Sequence, residues 1–336
     1  MTVQSADDVV SGWRDLIGTE REKGSLVVTE RMIRSYAYAT ANTHPLHHDA
    51  NYCRSLGFPD LVAPVNMLTT VSHDLARVPE EDLRPDGLTD DRFMVPVDSS
   101  MIVMGGGQQL RIACRVHPGT VAHVWQRLTA VEEKSSGLGR IALVTTVADF
   151  RDEDGALIVG KTETSIIAGL DNAPASPSPS RQKWEGGILE ASERPGSAEL
   201  PPPTSVGDEL RPLVKHPTNL LLFRFSAVVG VEHRIHYDQA YARSEGHRDV
   251  LVHQTLHAAF LGEIAQSTWG PRSFVGELQW KNRGRAFPGD VLTVSGRITA
   301  VDGDRISCAL EERNAVGDLC VEGAAVIHVS VKEEQT

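Results

Sequence analysis

The sequence predicts an α+β chain made of two copies of one fold, each a group of helices followed by an antiparallel meander. Three observations predict it. The stretch HPLHHDANYCRSLG at 44–57 returns as HRIHYDQAYARSEG at 233–246, an offset of 189 residues. The copies share His44/His233, His47/His236, Asp49/Asp238, Tyr52/Tyr241, Arg54/Arg243, Ser55/Ser244 and Gly57/Gly246. A strand-like stretch, HPGTVAHVWQRLTAV at 117–131, returns as FPGDVLTVSGRITAV at 287–301, an offset of 170. Between the copies, residues 171–205 are rich in Pro and Ser, which is a linker composition. The domains expected are therefore 1–170, a linker at 171–205, and 206–336.

In chain order, ERMIRSYAYATA at 30–41 has apolar residues at helical spacing. Pro45 ends that helix, because the residue before proline avoids the helical region. Asp49 and Asp238 sit where an N-cap belongs, and Gly57 where a helix stops. Capping is the simpler role for both aspartates, ahead of catalysis. Val65, Leu68, Val71 and Leu75 predict a longer helix in the first copy; Leu256, Phe260 and Ile264 predict one in the second. Residues 79–108, ending in Gly105-Gly106-Gly107, read as a loop insertion particular to the first copy. No Lys-Ser/Thr follows the glycines, so they are not a phosphate loop. Alternating and β-branched runs then predict the strands, with turns at Ser135–Gly137, Asp152–Gly155 and Val316-Gly317. Two equivalent sheets have edges to pair, and pairing them gives one sheet.

A formal charge of −12 argues against a nucleic-acid partner, which requires a basic face. Cys53, Cys114, Cys308 and Cys320 form no C-x-x-C pair and read as free thiols in a reducing compartment. Neither a signal peptide nor a membrane span is evident, so a cytoplasmic protein is expected.

A duplicated fold with a histidine loop ahead of a long, sheet-wrapped helix resembles the double hotdog. The residues resemble the MaoC-like family of R-specific enoyl-CoA hydratases and 3-hydroxyacyl-thioester dehydratases more narrowly. The family motif, Asp-x-Asn-Pro-(Ile/Leu)-His, is matched by Asn42-Thr43-His44-Pro45-Leu46-His47. The string His233-Arg234-Ile235-His236-Tyr237-Asp238 is similar to the subgroup that includes mesaconyl-CoA hydratase. The resemblance covers about 12–170 and 206–330.

It implies water addition to, or removal from, an acyl thioester, with histidine as general acid and base. The family's aspartate is Asn42 in one copy and Val231 in the other. Neither ionises, which leaves His47 or His236 to act alone. The resemblance also implies an oxyanion donor in the backbone N–H of Val65 or Gln254, at the start of each longer helix. Lys281, Arg283 and Arg285 form a basic spot, either an ordinary solvated turn or a contact for coenzyme A or phosphopantetheine phosphates. No resident cofactor or metal is implied. His253 and His257, one helical turn apart, have zinc-compatible spacing but read as packing residues. The partner expected is an acyl-thioester small molecule or an acyl carrier protein, with no nucleic acid and no membrane, and the assembly a monomer or a homodimer of pseudo-dimers. The missing aspartate keeps open a catalytically inactive thioester binder, and more weakly a thioesterase.

Overall fold

The computed structural model describes residues 6–89, 94–97, 101–137, 139–169 and 201–329. The linker expected at 171–205 lies, apart from 201–205, outside these. The first half contains α1 (Ala6–Arg14), β1 (Glu20–Val27), α2 (Glu30–Ala39), α3 (Ala50–Ser55), α4 (Met67–Val71), β2 (Ile102–Ile112), β3 (Val121–Ser136), β4 (Gly139–Arg151) and β5 (Leu157–Ala168). The second contains β6 (Leu213–Lys215), α5 (Asn219–Val229), α6 (Gln239–Ser244), α7 (Gln254–Ser267), β7 (Phe274–Asn282), β8 (Leu292–Asp302), β9 (Arg305–Asn314) and β10 (Leu319–His328). The strands form one ten-stranded sheet in the order β1-β3-β4-β5-β2-β7-β10-β9-β8-β6, the second half mirroring the first. This is the double hotdog.

The halves join where β2 pairs antiparallel with β7, through Gln108↔Trp280, Gln109↔Gln279, Leu110↔Leu278 and Arg111↔Glu277. The strand repeat makes residue i equivalent to i+170, so Gln109 and Gln279 are each other's counterparts. A local two-fold axis passes between them. The seam gives each central strand a partner for edge groups that would otherwise stand open. Across the helical layer, Tyr36 of α2 meets Phe225 of α5 at 5.9 Å between rings. Residues of both halves share the main core, among them Ile33, Leu46, Leu110, Phe225, Phe260 and Leu278.

Local chemistry repeats with the fold. Thr29 and Thr218 cap α2 and α5 by accepting from Met32 N–H and Leu221 N–H. Asp49 caps α3 through Asn51 and Tyr52 N–H, and Asp238 caps α6 through Tyr241 N–H. Gly57 and Gly246, at φ +88° and +78°, end those helices in a conformation that glycine adopts without strain.

Two expectations need correction. The first half has no long helix: α4 spans five residues and continues as a 3-10 turn over Ser72–Ala76, whereas α7 has fourteen. The apolar spacing there is helical, but Thr69, Thr70 and Ser72 spend their hydroxyls on carbonyls three or four residues back. Such bonds, together with β-branching, weaken a helix. The glycine run is also not a loop. Gly105–Gly107 lie inside β2, and a Cβ on Gly106 would stand 2.9 Å from Thr164 O and one on Gly107 2.8 Å from Trp280 O. Glycine is needed there because neighbouring backbone comes too close for a side chain.

Other described residues of the expected insertion are packed into the structure. Arg84 and Asp86 form a buried ion pair at 3.1 Å, and Arg84 also donates to Met101 O at 3.2 Å. Leu88, Val95 and Val97 enter a second apolar cluster with Val10 and Trp13 of α1 and Leu128 of β3. No helix among the described residues is long and apolar enough to cross a membrane. Because Gly107 abuts the seam, Gly107→Ala should lower stability by about 1–3 kcal/mol in denaturant unfolding. Gly137→Ala, with open space around its Cβ, should stay within about 0.5 kcal/mol.

Candidate active site

Each half places its second loop histidine in a 3-10 turn, Pro45–His47 in one and Arg234–His236 in the other. In each, ring Nδ1 donates to a carbonyl fifteen residues on. His47 reaches Val62 O at 2.6 Å and His236 reaches Leu251 O at 2.9 Å. A carbonyl only accepts, so the proton is on Nδ1 and the lone pair on Nε2.

The two sites then diverge. His47 is 1% exposed. Burial, with His44 and His48 beside it, lowers its pKa to about 4 against the opposing pull of Val62 O. Asn42 is buried and its Oδ1 accepts from His44 N–H, so that oxygen shapes the loop. Val65 precedes the short α4 and packs on α7, where a Cβ on Gly262 would approach it to 3.1 Å.

His236 is only partly buried. Its ring stacks on His253 at 3.8 Å and 18°. His253 is the N-cap of α7 and shares a 2.8 Å hydrogen bond with Ser226 Oγ. Burial first, then His236, His257 and His233, hold the His253 pKa well below the ordinary imidazole value, so this neighbour is neutral. His236 thus stands against the N-terminal end of a fourteen-residue helix. The first ladder bonds of α7 run from Leu256 and His257 N–H to His253 O. Helix geometry leaves the Gln254 and Thr255 N–H groups at the free, positive end. The Gln254 side chain lies over β2, where a Cβ on Gly105 would come within 1.6 Å of its Oε1, and its Nε2 is buried with no partner. Val231, in the position five before His236, is buried and apolar.

The other candidates separate. His253 and His257 do not converge, since His257 Nδ1 lies 2.6 Å from Glu312 Oε1 in the core. Among the described residues no group of three or more His, Cys, Asp or Glu could hold a metal. Arg283 pairs with Glu322, which raises its pKa, and Lys281 also acts on that carboxylate. Arg285 is partly desolvated and acts instead on His247.

Sequence reasoning missed three features. His253 stacks on His236, a role hinted at by its place just before the helix start. Ser226 holds His253, and nothing in its spacing signals that. The insertion of the first half closes over the second half's loop: Arg234 N–H donates to Asp86 O at 2.8 Å and Arg234 Nη1 to Pro85 O at 3.0 Å. A Cβ on Gly87 would stand 2.1 Å from Glu232 O.

A duplicated hotdog with a histidine pinned in each copy is the class of architecture that the comparisons associate with hydratases and dehydratases. Residues 15–161 match the family model described as the FAS1-like dehydratase domain region, and 188–287 match hydroxyacyl-thioester dehydratase type 2. Each half thus matches a dehydratase family model, and the fold is a double hotdog. It is 29% identical over 212 residues, 62% of this chain and 67% of the other, to mesaconyl-C(4)-CoA hydratase of Chloroflexus aurantiacus. In fold it is similar to a MaoC-like dehydratase (TM-score 0.71, 18% identity, 95% of this chain and 100% of that one). It is also similar to a Mycobacterium tuberculosis protein described as having a double hotdog fold (TM-score 0.62, 13% identity, 94% and 97% covered).

The lowered His47 pKa makes folding pH-dependent. Unfolded, this histidine binds a proton below about 6.5; folded, it does so only near 4. The stability its neutral form carries is complete above 6.5 and is lost as pH falls toward 4, by about 3 kcal/mol. Urea unfolding from pH 7.5 to 4 should show that loss, and His47→Gln should flatten it.

Proposed function

We propose that the chain adds water to, or removes it from, a 2-enoyl or 3-hydroxyacyl thioester, and that the second half carries the chemistry. The observation behind this is His236, with Nδ1 fixed on Leu251 O and its ring against the N-cap of the fourteen-residue α7. With Nε2 unprotonated, the ring takes a proton from water as the oxygen bonds to C3 of the enoyl thioester. The pair of electrons released onto the thioester carbonyl gives an enolate-like oxygen, and the imidazolium returns the proton to C2. The Gln254 backbone N–H, at the free end of α7, and its unpartnered Nε2 are donors for that oxygen. In dehydration the same groups run in reverse.

On this reading His47 is a fold residue, sealed in the half whose helix is short. Coenzyme A, or the phosphopantetheine of a carrier protein, is the thioester carrier, with Lys281, Arg283 and Arg285 toward its phosphates. The relative named as a CoA hydratase supports the first. The chain works as a monomer or as a homodimer of pseudo-dimers.

A second reading, a thioester binder without turnover, is favoured by one observation: the place of the family's aspartate beside His236 holds Val231. Enoyl-thioester absorbance separates the two. Across a panel of CoA thioesters the wild type should show turnover, and His236→Ala should lower kcat by about 10²–10⁴. His47→Gln should change stability more than rate. Binding without turnover by a folded chain would instead establish the second reading.

A further inference from the structure

The duplication supplies its own comparison for the surroundings of His236. The loop repeat relates residue i to i+189. The strand pairs Val124↔Phe150 and Val294↔Glu312, with Val124 and Val294 equivalent by the strand repeat, relate Phe150 of β4 to Glu312 of β9. By these relations His253 stands where the first half has Pro64, and Ser226 where it has Ala37. His257 stands where it has Leu68, and Glu312 where it has Phe150. Four apolar residues in the half with the sealed histidine are thus four polar ones in the half with the open histidine.

The four are in two linked contacts. His253 stacks on His236 and shares its hydrogen bond with Ser226. One turn along α7, His257 Nδ1 stands 2.6 Å from Glu312 Oε1. Both residues are sealed, Glu312 completely, and Glu312 Oε2 is buried with no hydrogen-bond partner. His257 and His236 each help to lower the His253 pKa, after burial. Electrostatic contact therefore runs from Glu312 through His257 and His253 to His236. Stability does not explain the pair. Leu68 and Phe150 show that the fold fills this place with hydrocarbon, and exchanging a buried ion pair for apolar side chains is often neutral or stabilising. Its place does explain it. A carboxylate is favoured at the start of a helix, and the position five before His236 holds only Val231.

We propose that Glu312, acting through His257 and His253, supplies the negative charge that position 231 lacks, and so favours the imidazolium that His236 forms on taking a proton from water. The proposal rests on the thioester reading above. Glu312 is ionised and His257 neutral, with Nδ1–H toward the carboxylate, so the pair keeps one negative charge. Glu312 is a positioning residue, since it touches neither water nor substrate. The other groups facing this line are few. His233 lies 5.8 Å from His236 between rings, and Asp238 of the same loop is committed to Arg234 at 2.7 Å. Val294 and Val321, opposite Glu312 on β8 and β10, carry no charge. Cys320 of β10 stays a thiol, pushed up to about 12 by burial and then by Glu312.

Histidine-ring NMR titration of the full chain, with His236 assigned by the signal lost in His236→Ala, reads the coupling without substrate. Glu312→Gln should lower the His236 pKa, because an opposite charge favours the charged form and its removal does the reverse. The base must be unprotonated, so the acidic limb of the kcat profile on enoyl-CoA thioesters should move to lower pH. On the plateau kcat should fall about tenfold, the equivalent of one pKa unit. The double variant His257→Leu/Glu312→Phe installs the pair that the first half already uses. It should show the same two changes while unfolding at an equal or higher urea concentration. It also decides the matter if Glu312→Gln does not fold. A merely structural pair would give the opposite, lost stability with the titration and the pH profile unmoved. His236 titrating at the same pH in the wild type and the double variant would overturn the proposal, and turnover alongside it would leave the thioester reading standing. A shifted titration in a chain that turns over no enoyl thioester keeps the charge coupling and sinks that reading.

Discussion

The pairing of β2 with β7 is the constraint on which everything else rests. A curved antiparallel sheet with a helix on one face has two edges, and its central edge carries unpaired backbone groups. Here the central edges satisfy each other through four residue pairs centred on Gln109 and Gln279. Once that register is set, α7 is placed beneath the seam. The start of α7 comes against β2 of the other half, as the Gln254 side chain over Gly105 shows. A helix start belonging to one copy is thereby walled by a strand belonging to the other.

That shared wall lets the halves specialise. The first half keeps its loop histidine but buries it, ties the Asn42 oxygen to the loop backbone, and shortens the helix that follows. The second half keeps a long helix and a partly open histidine resting on a neutral one. The segment after the shortened helix instead meets the chain that leads into the other copy's loop, where Arg77 reaches Glu232 at 3.5 Å. Hydroxyl-bearing side chains at 69, 70 and 72 bond back to carbonyls where that helix ends.

Much of the fold was legible because its signals are local. A threonine or aspartate ahead of a helix, a proline after a histidine and a glycine at a helix end act on their own neighbours within a few residues. Their recurrence at a fixed offset marked the duplication. What was not legible depends on contacts between distant parts of the chain. The glycine run looks like a loop until Trp280 and Thr164 are brought beside it. The apolar spacing of residues 65–75 looks helical until the threonine hydroxyls are placed. His253 shows its stacking on His236 only when the Leu251 carbonyl has fixed the second ring. No sequence pattern ties Arg234 to Asp86.

The clasp between Arg234 and the Pro85–Asp86 carbonyls has a consequence for ancestry. The segment bearing those carbonyls precedes β2 in the first copy alone, and it serves the histidine loop of the second. A dimer of two identical second copies would leave Arg234 only its own half's Asp238 and Tyr241, and a dimer of two first copies has Pro45, with no N–H, in the place of Arg234. The fusion is in this sense asymmetric: the histidine loop of the second copy leans on a segment that the first copy supplies.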